Sequence, residues 1–310
     1  MPEYQHLELE TARGVLTAVV DPVGAALRSL SLNQTEFVLS APLGQEPPFY
    51  AGVVMSPWVN RLEDGQWEYQ GQTLQLPINL PEQQHAHHGL LHHATYRVVE
   101  LGNNSQCSWL ELAATINASP GYPFTVETGV RYELNSEGLR VTHLAENLSE
   151  VAAPYAVGGH PYLQIFGTPT EQLRLTVPAS SVILTNNRQI PVQTVNVENT
   201  EFDFRHGKRV DAAYLDHGFT DLEFDAKGIA RTTLHDGRGG YVEVWQDRSM
   251  NFVTVFSPSF YPTSLGEIYA VAIEPHTAPA NALRTGEGLT WLEPHQKFVA
   301  EWGINVSEPV

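Results

Sequence analysis

The sequence predicts an all-β protein, built as one large antiparallel β-sandwich, and three observations carry that expectation. Short runs of β-branched and aromatic residues alternate with polar ones at a period of two, which turns one face of each run toward a core. Turn-forming residues recur between these runs along the whole chain, while helical periodicity is almost absent. No Pro/Gly/Ser-rich linker and no shift in composition divides the 310 residues, so a single domain over 1–310 is expected.

Taken in order, residues 15–20 and 25–32 read as the first strands, with Asp21-Pro22-Val23-Gly24 supplying the turn between them. Residues 67–69 and 73–76 form a tight hairpin around Gly71. Strands at 96–101 and 108–115 follow, turned by Asn103-Asn104. The runs 124–134 and 139–144, joined by Asn135-Ser136-Glu137-Gly138, are expected to be neighbours in one sheet. Further strands read at 173–177, 219–224, 232–234 and 241–245, with Asp225-Ala226-Lys227-Gly228 and Asp236-Gly237-Arg238-Gly239-Gly240 as turns. Residues 252–256, 269–273 and 298–302 complete the series. Residues 186–208 are polar, carry few apolar repeats and read as the least ordered stretch.

Composition narrows the function. Hydrophobic residues make up 42% and charged ones 17%, which suits a globular protein with a large core. Lys and Arg total 17 against 35 Asp and Glu, and a net charge of −18 repels phosphate backbones and anionic lipid surfaces. Nucleic acid and membrane are therefore not expected partners, and a highly phosphorylated substrate is disfavoured. Cys107 is the only cysteine, so an intrachain disulfide or thiolate cluster is impossible and a reducing compartment fits. The N-terminal residues lack a basic segment followed by an apolar run, and no stretch approaches membrane-spanning length, so a cytoplasmic location is expected.

Several short motifs place reactive side chains on glycine- and proline-shaped backbone. In Gly158-Gly159-His160-Pro161-Tyr162 two glycines allow close approach, Pro161 biases His160 toward extended geometry, and Tyr162 offers an aromatic wall. An imidazole held there suits proton donation or acceptance near neutrality, although a buried structural histidine would read the same way. Glu274, at the end of the apolar run 269–273 and before Pro275, is expected to be partly desolvated, which would make it a better general base than a free strand-end glutamate. Asn60-Arg61 precedes Asp64-Gly65, and the forked guanidinium can hold two ligand oxygens or make a surface ion pair with Glu63 or Asp64. Asp216 reads as a loop carboxylate able to accept hydrogen bonds from hydroxyls, or as a turn aspartate.

The histidines at 85, 87, 88, 92 and 93 first suggest a metal, but no carboxylate follows until Glu100 and no thiol is close. A second reading makes His88, hinged by Gly89, one functional histidine with the others on the surface. In a third, all five are solvated. Phosphate-binding glycine loops and Gly-x-Ser-x-Gly elbows are absent, which argues against nucleotide hydrolysis and the common acyl-transfer enzymes. One Arg, two His, one Asp and one Glu on shaped loops suit a polyhydroxylated ligand and proton transfer.

In order along the chain, these pieces resemble the aldose 1-epimerase (mutarotase) family. The resemblance rests on residues 19–27, on Pro57-Trp58-Val59-Asn60-Arg61 with Gly65 and Gly71, and on His88-Gly89. It continues through Gly121-Tyr122-Pro123-Phe124, Asn147, Gly159-His160-Pro161-Tyr162, Asp216-His217-Gly218-Phe219, and Ile273-Glu274-Pro275 with Pro279-Ala280-Asn281-Ala282. It implies a galactose mutarotase-like supersandwich that interconverts the anomers of a hexose, as a monomer or homodimer, without metal or coenzyme. It assigns Glu274 as the base at the C1 hydroxyl and His160 as the acid at the ring oxygen, on opposite sides of that unit. His88, Arg61 and Asp216, together with Asn60 and Tyr162, would bind the sugar. His88-Gly89-Leu90 departs from the family's His-Gly-Gly form, which leaves the preferred sugar open. A non-catalytic carbohydrate-binding or regulatory sandwich, an epimerase of a sugar phosphate, a glycosidase using Glu274 with Asp216, and a metal-dependent cupin using His85 and His87 are the rival readings.

Overall fold

The longest alternating runs of the sequence pair into a nine-stranded antiparallel sheet. In a computed structural model, which describes residues 3–308 apart from 40, 41, 166, 264 and 265, its strand order is Arg97–Asn103, Ser108–Ile116, Val126–Leu134, Gly138–Asn147, Lys297–Ser307, Tyr241–Asp247, Ile229–His235, Arg174–Thr176 and Lys208–Arg209. Leu134 pairs with Leu139 across the 135–138 turn, so those two strands are neighbours as expected.

A second, eight-stranded sheet follows the order Pro191–Asn196, Ala179–Thr185, Asp216–Leu222, Phe252–Phe256, Val271–His276, Gly158–Gly159 and Val54–Met55, with Tyr162–Leu163 also pairing to Val271–His276. Its strands alternate between two uses. Val253, Val255, Val271 and Ile273 point into the large core that both sheets share. Thr254, Phe256, Ala272, Glu274 and His276 occupy the opposite face, on which Phe256 and Glu274 share a cleft with Tyr50, Asn60, Leu80 and His88.

A four-stranded sheet (Gln5–Thr11, Gly14–Asp21, Ala26–Leu32, Thr35–Glu36) adds Leu7, Leu16, Ala18, Leu27 and Leu30 to the same core. Its central turn passes through Gly24 (φ 66°) and Ala25 (φ 47°). The hairpin pairs Gln66–Tyr69 with Gln72–Gln75. Among the described residues the one α-helical element is Ala282–Thr285, and no helix is long and apolar enough to cross a membrane.

The structure differs from expectation at residues 186–208, which are not the least ordered stretch. Pro191–Asn196 is the edge strand of the eight-stranded sheet and pairs with Ala179–Thr185. Most of its residues face solvent, so there is no core-facing row to write an apolar period into the sequence.

Candidate active site

The site is a broken rung in the eight-stranded sheet. Val271–His276 runs antiparallel to Gly158–Gly159 and then to Tyr162–Leu163, with Gly158 opposite His276 and Tyr162 opposite Ala272. That register sets His160 opposite Glu274, where Pro161 and Pro275 have no N–H to complete the ladder. Glu274 therefore lies inside its strand and not at the end, because the strand continues through Pro275 where its neighbour is interrupted. The two glycines also serve differently from expectation, since neither has a positive φ. A Cβ on Gly159 would come within 2.5 Å of the Trp302 ring, and one on Gly158 within 2.5 Å of His276 Cδ2, so both glycines are needed for packing.

Cross-strand partners on one face are close neighbours, and His160 Nε2 lies 3.6 Å from Glu274 Oε1. The side chains are 5% and 2% exposed, which leaves little water to solvate a charge. Desolvation raises the Glu274 carboxyl from 4.5 to about 7, and Asp216 adds to the rise while His160 and Arg61 oppose it. Burial lowers His160, with Glu274 opposing. At each group burial and the facing partner pull in opposite directions, which suits a pair that passes a proton.

Arg61 begins the short strand Arg61–Glu63, paired to His85–His87, and four of the five N–H donors of its guanidinium are used within the protein. Nε donates to Gln83 Oε1 (2.9 Å), Nη1 to Asn60 Oδ1 (3.1 Å), and Nη2 to Gln189 Oε1 (2.6 Å) and Asp216 Oδ2 (3.2 Å). Gln189 in turn donates to Asp216 Oδ2, and Gln83 to Gln189 Oε1 (2.6 Å). Glu63 and Asp64 are taken instead by Arg188 and Arg284, which removes the surface ion pair as an account of Arg61. Asp216 opens the strand Asp216–Leu222 and is not a loop residue, because its pairing with Phe256 extends the sheet to the site.

These side chains meet in a cleft of about 290 Å³, near the lower end of the ~300–1,000 Å³ usual for small-molecule pockets. Asn60, Arg61, Gln83, His87, His88, His160, Gln189, Asp216 and Glu274 line it, with Phe49, Tyr50, Tyr214, Phe256 and Phe260 among the aromatic walls. Polar groups that can bind hydroxyls thus face rings that can cover the apolar faces of a sugar.

The family model described as aldose 1-epimerase matches residues 5–304. The chain belongs to the aldose 1-epimerase family. It is 32% identical over 297 residues to the uncharacterized protein YihR of Escherichia coli (strain K12), spanning 94% of this chain and 92% of that one. It is 24% identical over 302 residues to an aldose 1-epimerase of Haemophilus influenzae, spanning 89% and 87%. The fold matches the crystal structure of galactose 1-epimerase from Lactobacillus acidophilus at a TM-score of 0.83 and 21% identity, over 100% of this chain and 96% of that chain. The supersandwich expectation thus holds.

Within this epimerase-family chain, six of the seven expected site residues line the cleft, and Tyr162 does not. It is fully buried, with its ring stacked 5.3 Å from that of His160, so it backs the imidazole without facing the cleft. Its place two residues along the same strand face, behind His160, explains both features. Asn60 has a left-handed φ of 53° and accepts hydrogen bonds from Arg61, so it holds the guanidinium in place.

The histidine cluster differs from all three readings in part. His88 is buried with a φ of 56°, its backbone N–H is 3.0 Å from Asn60 O, and its ring centroid is 5.1 Å from that of His160. His87 is buried beside it, with ring centroids 3.5 Å apart, and burial pushes both well below 6.5. His85 is buried too, with Nε2 at Arg188 O (3.0 Å) and Nδ1 accepting from Asp64 N (3.3 Å), which leaves neither nitrogen for a metal shared with His87. Only His93 is well exposed, at 62%. Among the described residues no three His, Cys, Asp or Glu side chains converge as a metal-ligand group. Gly89, at φ 77°, brings the chain so close to Ser56 that a Cβ would fall 2.0 Å from Ser56 O.

Sequence reasoning missed Gln83, Gln189 and the aromatic rim. Glutamines on polar loops carry no signal of their own, and Gln189 lies in the stretch expected to be least ordered. Its left-handed φ of 60° could have been sought only after the site was known.

Proposed function

We propose that the protein interconverts the α- and β-anomers of a free hexose, as one unit spanning the chain, in the cytoplasm and without metal or coenzyme. The observation that supports this most is the pairing of His160 with Glu274 across the broken rung, 3.6 Å apart at the bottom of the cleft. The two oxygens whose protons change hands, the C1 hydroxyl and the ring oxygen, are bonded to the same carbon. An acid and a base held this close can reach both oxygens of one anomeric centre, which supports the roles expected of Glu274 and His160.

Between their titrations the pair holds one proton, and in the reactive form it sits on His160 Nε2. Glu274 Oε1 takes the proton of the C1 hydroxyl while His160 delivers its own to the ring oxygen. The bond from C1 to the ring oxygen breaks, the hydroxyl becomes the aldehyde, and the pair again holds one proton. Rotation about C1–C2 presents the other carbonyl face, and the two transfers reverse as the ring recloses. Neither transfer leaves a free charge in the buried site. Asp216, Gln189 and Gln83, locked by Arg61, hold sugar hydroxyls, and His88 lies beside the anomeric centre.

Among the described residues the cleft is lined by a single cationic side chain, Arg61, whose charge is offset by Asp216, with Glu82 also on the wall. This supports a neutral sugar over a sugar phosphate. Polarimetry on fresh α-glucose and α-galactose tests the reading, with His160→Asn expected to cost on the order of 10²-fold. No acceleration over the spontaneous rate across a panel of aldoses, or release of reducing sugar from oligosaccharides, would overturn it.

A further inference from the structure

The strand that carries Glu274 carries a second buried ionisable side chain that the scheme above does not use. His276 is two residues on, on the same sheet face, and is 1% exposed. Its Nε2 lies 3.2 Å from Glu274 Oε2, the carboxyl oxygen not engaged with His160. Both atoms are buried and off hydrogen-bonding geometry, and neither has another partner among the described residues, so each is the other's available partner after a small rotation.

The ring is seated from its other sides. Thr254, the cross-strand partner of Glu274, places Oγ1 3.4 Å from His276 Nδ1. Gly158 leaves room for the Cδ2 edge, where a Cβ would intrude to 2.5 Å. An ionised carboxylate can only accept, which places the ring proton of a neutral imidazole on Nε2 and leaves Nδ1 to accept from the Thr254 hydroxyl.

We propose that His276 is a positioning residue for Glu274: with Nδ1 held at the Thr254 hydroxyl, it donates from Nε2 to Oε2 of the carboxylate and leaves Oε1, beside His160, as the proton-accepting oxygen. The inference rests on the reading of Glu274 as the base. Burial lowers His276 to about 3, which favours the neutral imidazole with this single donor. The other groups facing the carboxyl are His160, Asp216, Arg61 and Tyr162, and those facing His276 are Glu274, His88 and His160. His160 is at Oε1, and the guanidinium of Arg61 is directed to Asp216 and the two glutamines.

The test is a carbon-13 NMR titration of the Glu274 carboxyl, assigned by its loss in Glu274→Gln, in the wild type, His276→Leu, His276→Gln and Thr254→Val, with mutarotation kinetics in parallel. A donor to the ionised form favours that form, so His276→Leu should raise the Glu274 midpoint by about one pH unit and lower kcat about tenfold, with KM within about twofold. His276→Gln, whose amide N–H reaches the place of the ring N–H, should restore both. Thr254→Val should shift the midpoint the same way by less. An unchanged midpoint in His276→Leu and Thr254→Val, or a shift that His276→Gln does not relieve, or a shift without loss of kcat, overturns the proposal. If His276→Leu does not fold, Thr254→Val decides: a raised midpoint supports the proposal and an unchanged one overturns it. A wild type that mutarotates no aldose defeats the reading of Glu274 as base, while the titration still decides whether His276 controls its carboxyl.

Discussion

Raising the pH above neutrality should slow the reaction, and the structure sets both the onset and the slope. His160 and Glu274 must share one proton, and the last proton of the pair leaves near the Glu274 value of about 7. The first is lost below the ordinary histidine value of 6.5, because burial lowers His160. The active one-proton form is therefore confined to a window whose upper edge is about 7. One pH unit above that edge, about one molecule in eleven keeps the proton, so kcat/KM should fall about tenfold per unit between pH 8 and 9. The assay is polarimetry at sugar concentrations below KM in buffers from pH 5 to 9, with the spontaneous rate subtracted at each pH. A profile that is flat or rises from pH 7 to 9 would refute the shared proton and leave Glu274 acting without His160 as its acid.

Glu274→Gln should abolish mutarotation and yet stabilise the fold at pH 8. The carboxyl, moved from 4.5 in the unfolded chain to about 7 when buried, is stabilising in its protonated form below 4.5 and loses that contribution as pH rises through 7, at a cost on the order of 3 kcal/mol. The amide has no such loss, so Tm should exceed wild type at pH 8 and match it at pH 4; equal Tm at both would contradict the burial of the charge. Arg61→Lys keeps the charge but cannot hold Asn60, Gln83, Gln189 and Asp216 together, so kcat/KM should drop ~10- to 100-fold in a variant that melts like wild type, and unchanged steady-state constants would remove the Arg61 array from the site. Gly159→Ala should cost ~1–3 kcal/mol in denaturant unfolding, because the added methyl meets Trp302 at 2.5 Å; a neutral result would mean the indole moves aside freely.

Much of this protein is written locally. The period-two runs and the turn residues between them were enough to predict an all-β sandwich, because a strand with one buried face must alternate, as Val126–Leu134 and Gly138–Asn147 do. His160, Glu274, Arg61 and Asp216 were likewise legible, since each is an ionisable group on proline- or glycine-shaped backbone. What tertiary structure alone decided is which groups touch. The facing of His160 and Glu274 follows from the register of strands more than a hundred residues apart, and a one-residue slip would turn one of them into the core. The raised value of Glu274 follows from burial, which no run of neighbours along the chain encodes. Gln83, Gln189 and His276 acquire their parts only through partners from distant strands and loops, and the exposed edge strand Pro191–Asn196 has no buried face with which to announce itself. Sequence specifies the faces of the strands; pairing across the sheet specifies the site, because hydrogen-bonded register acts between residues that the chain keeps far apart.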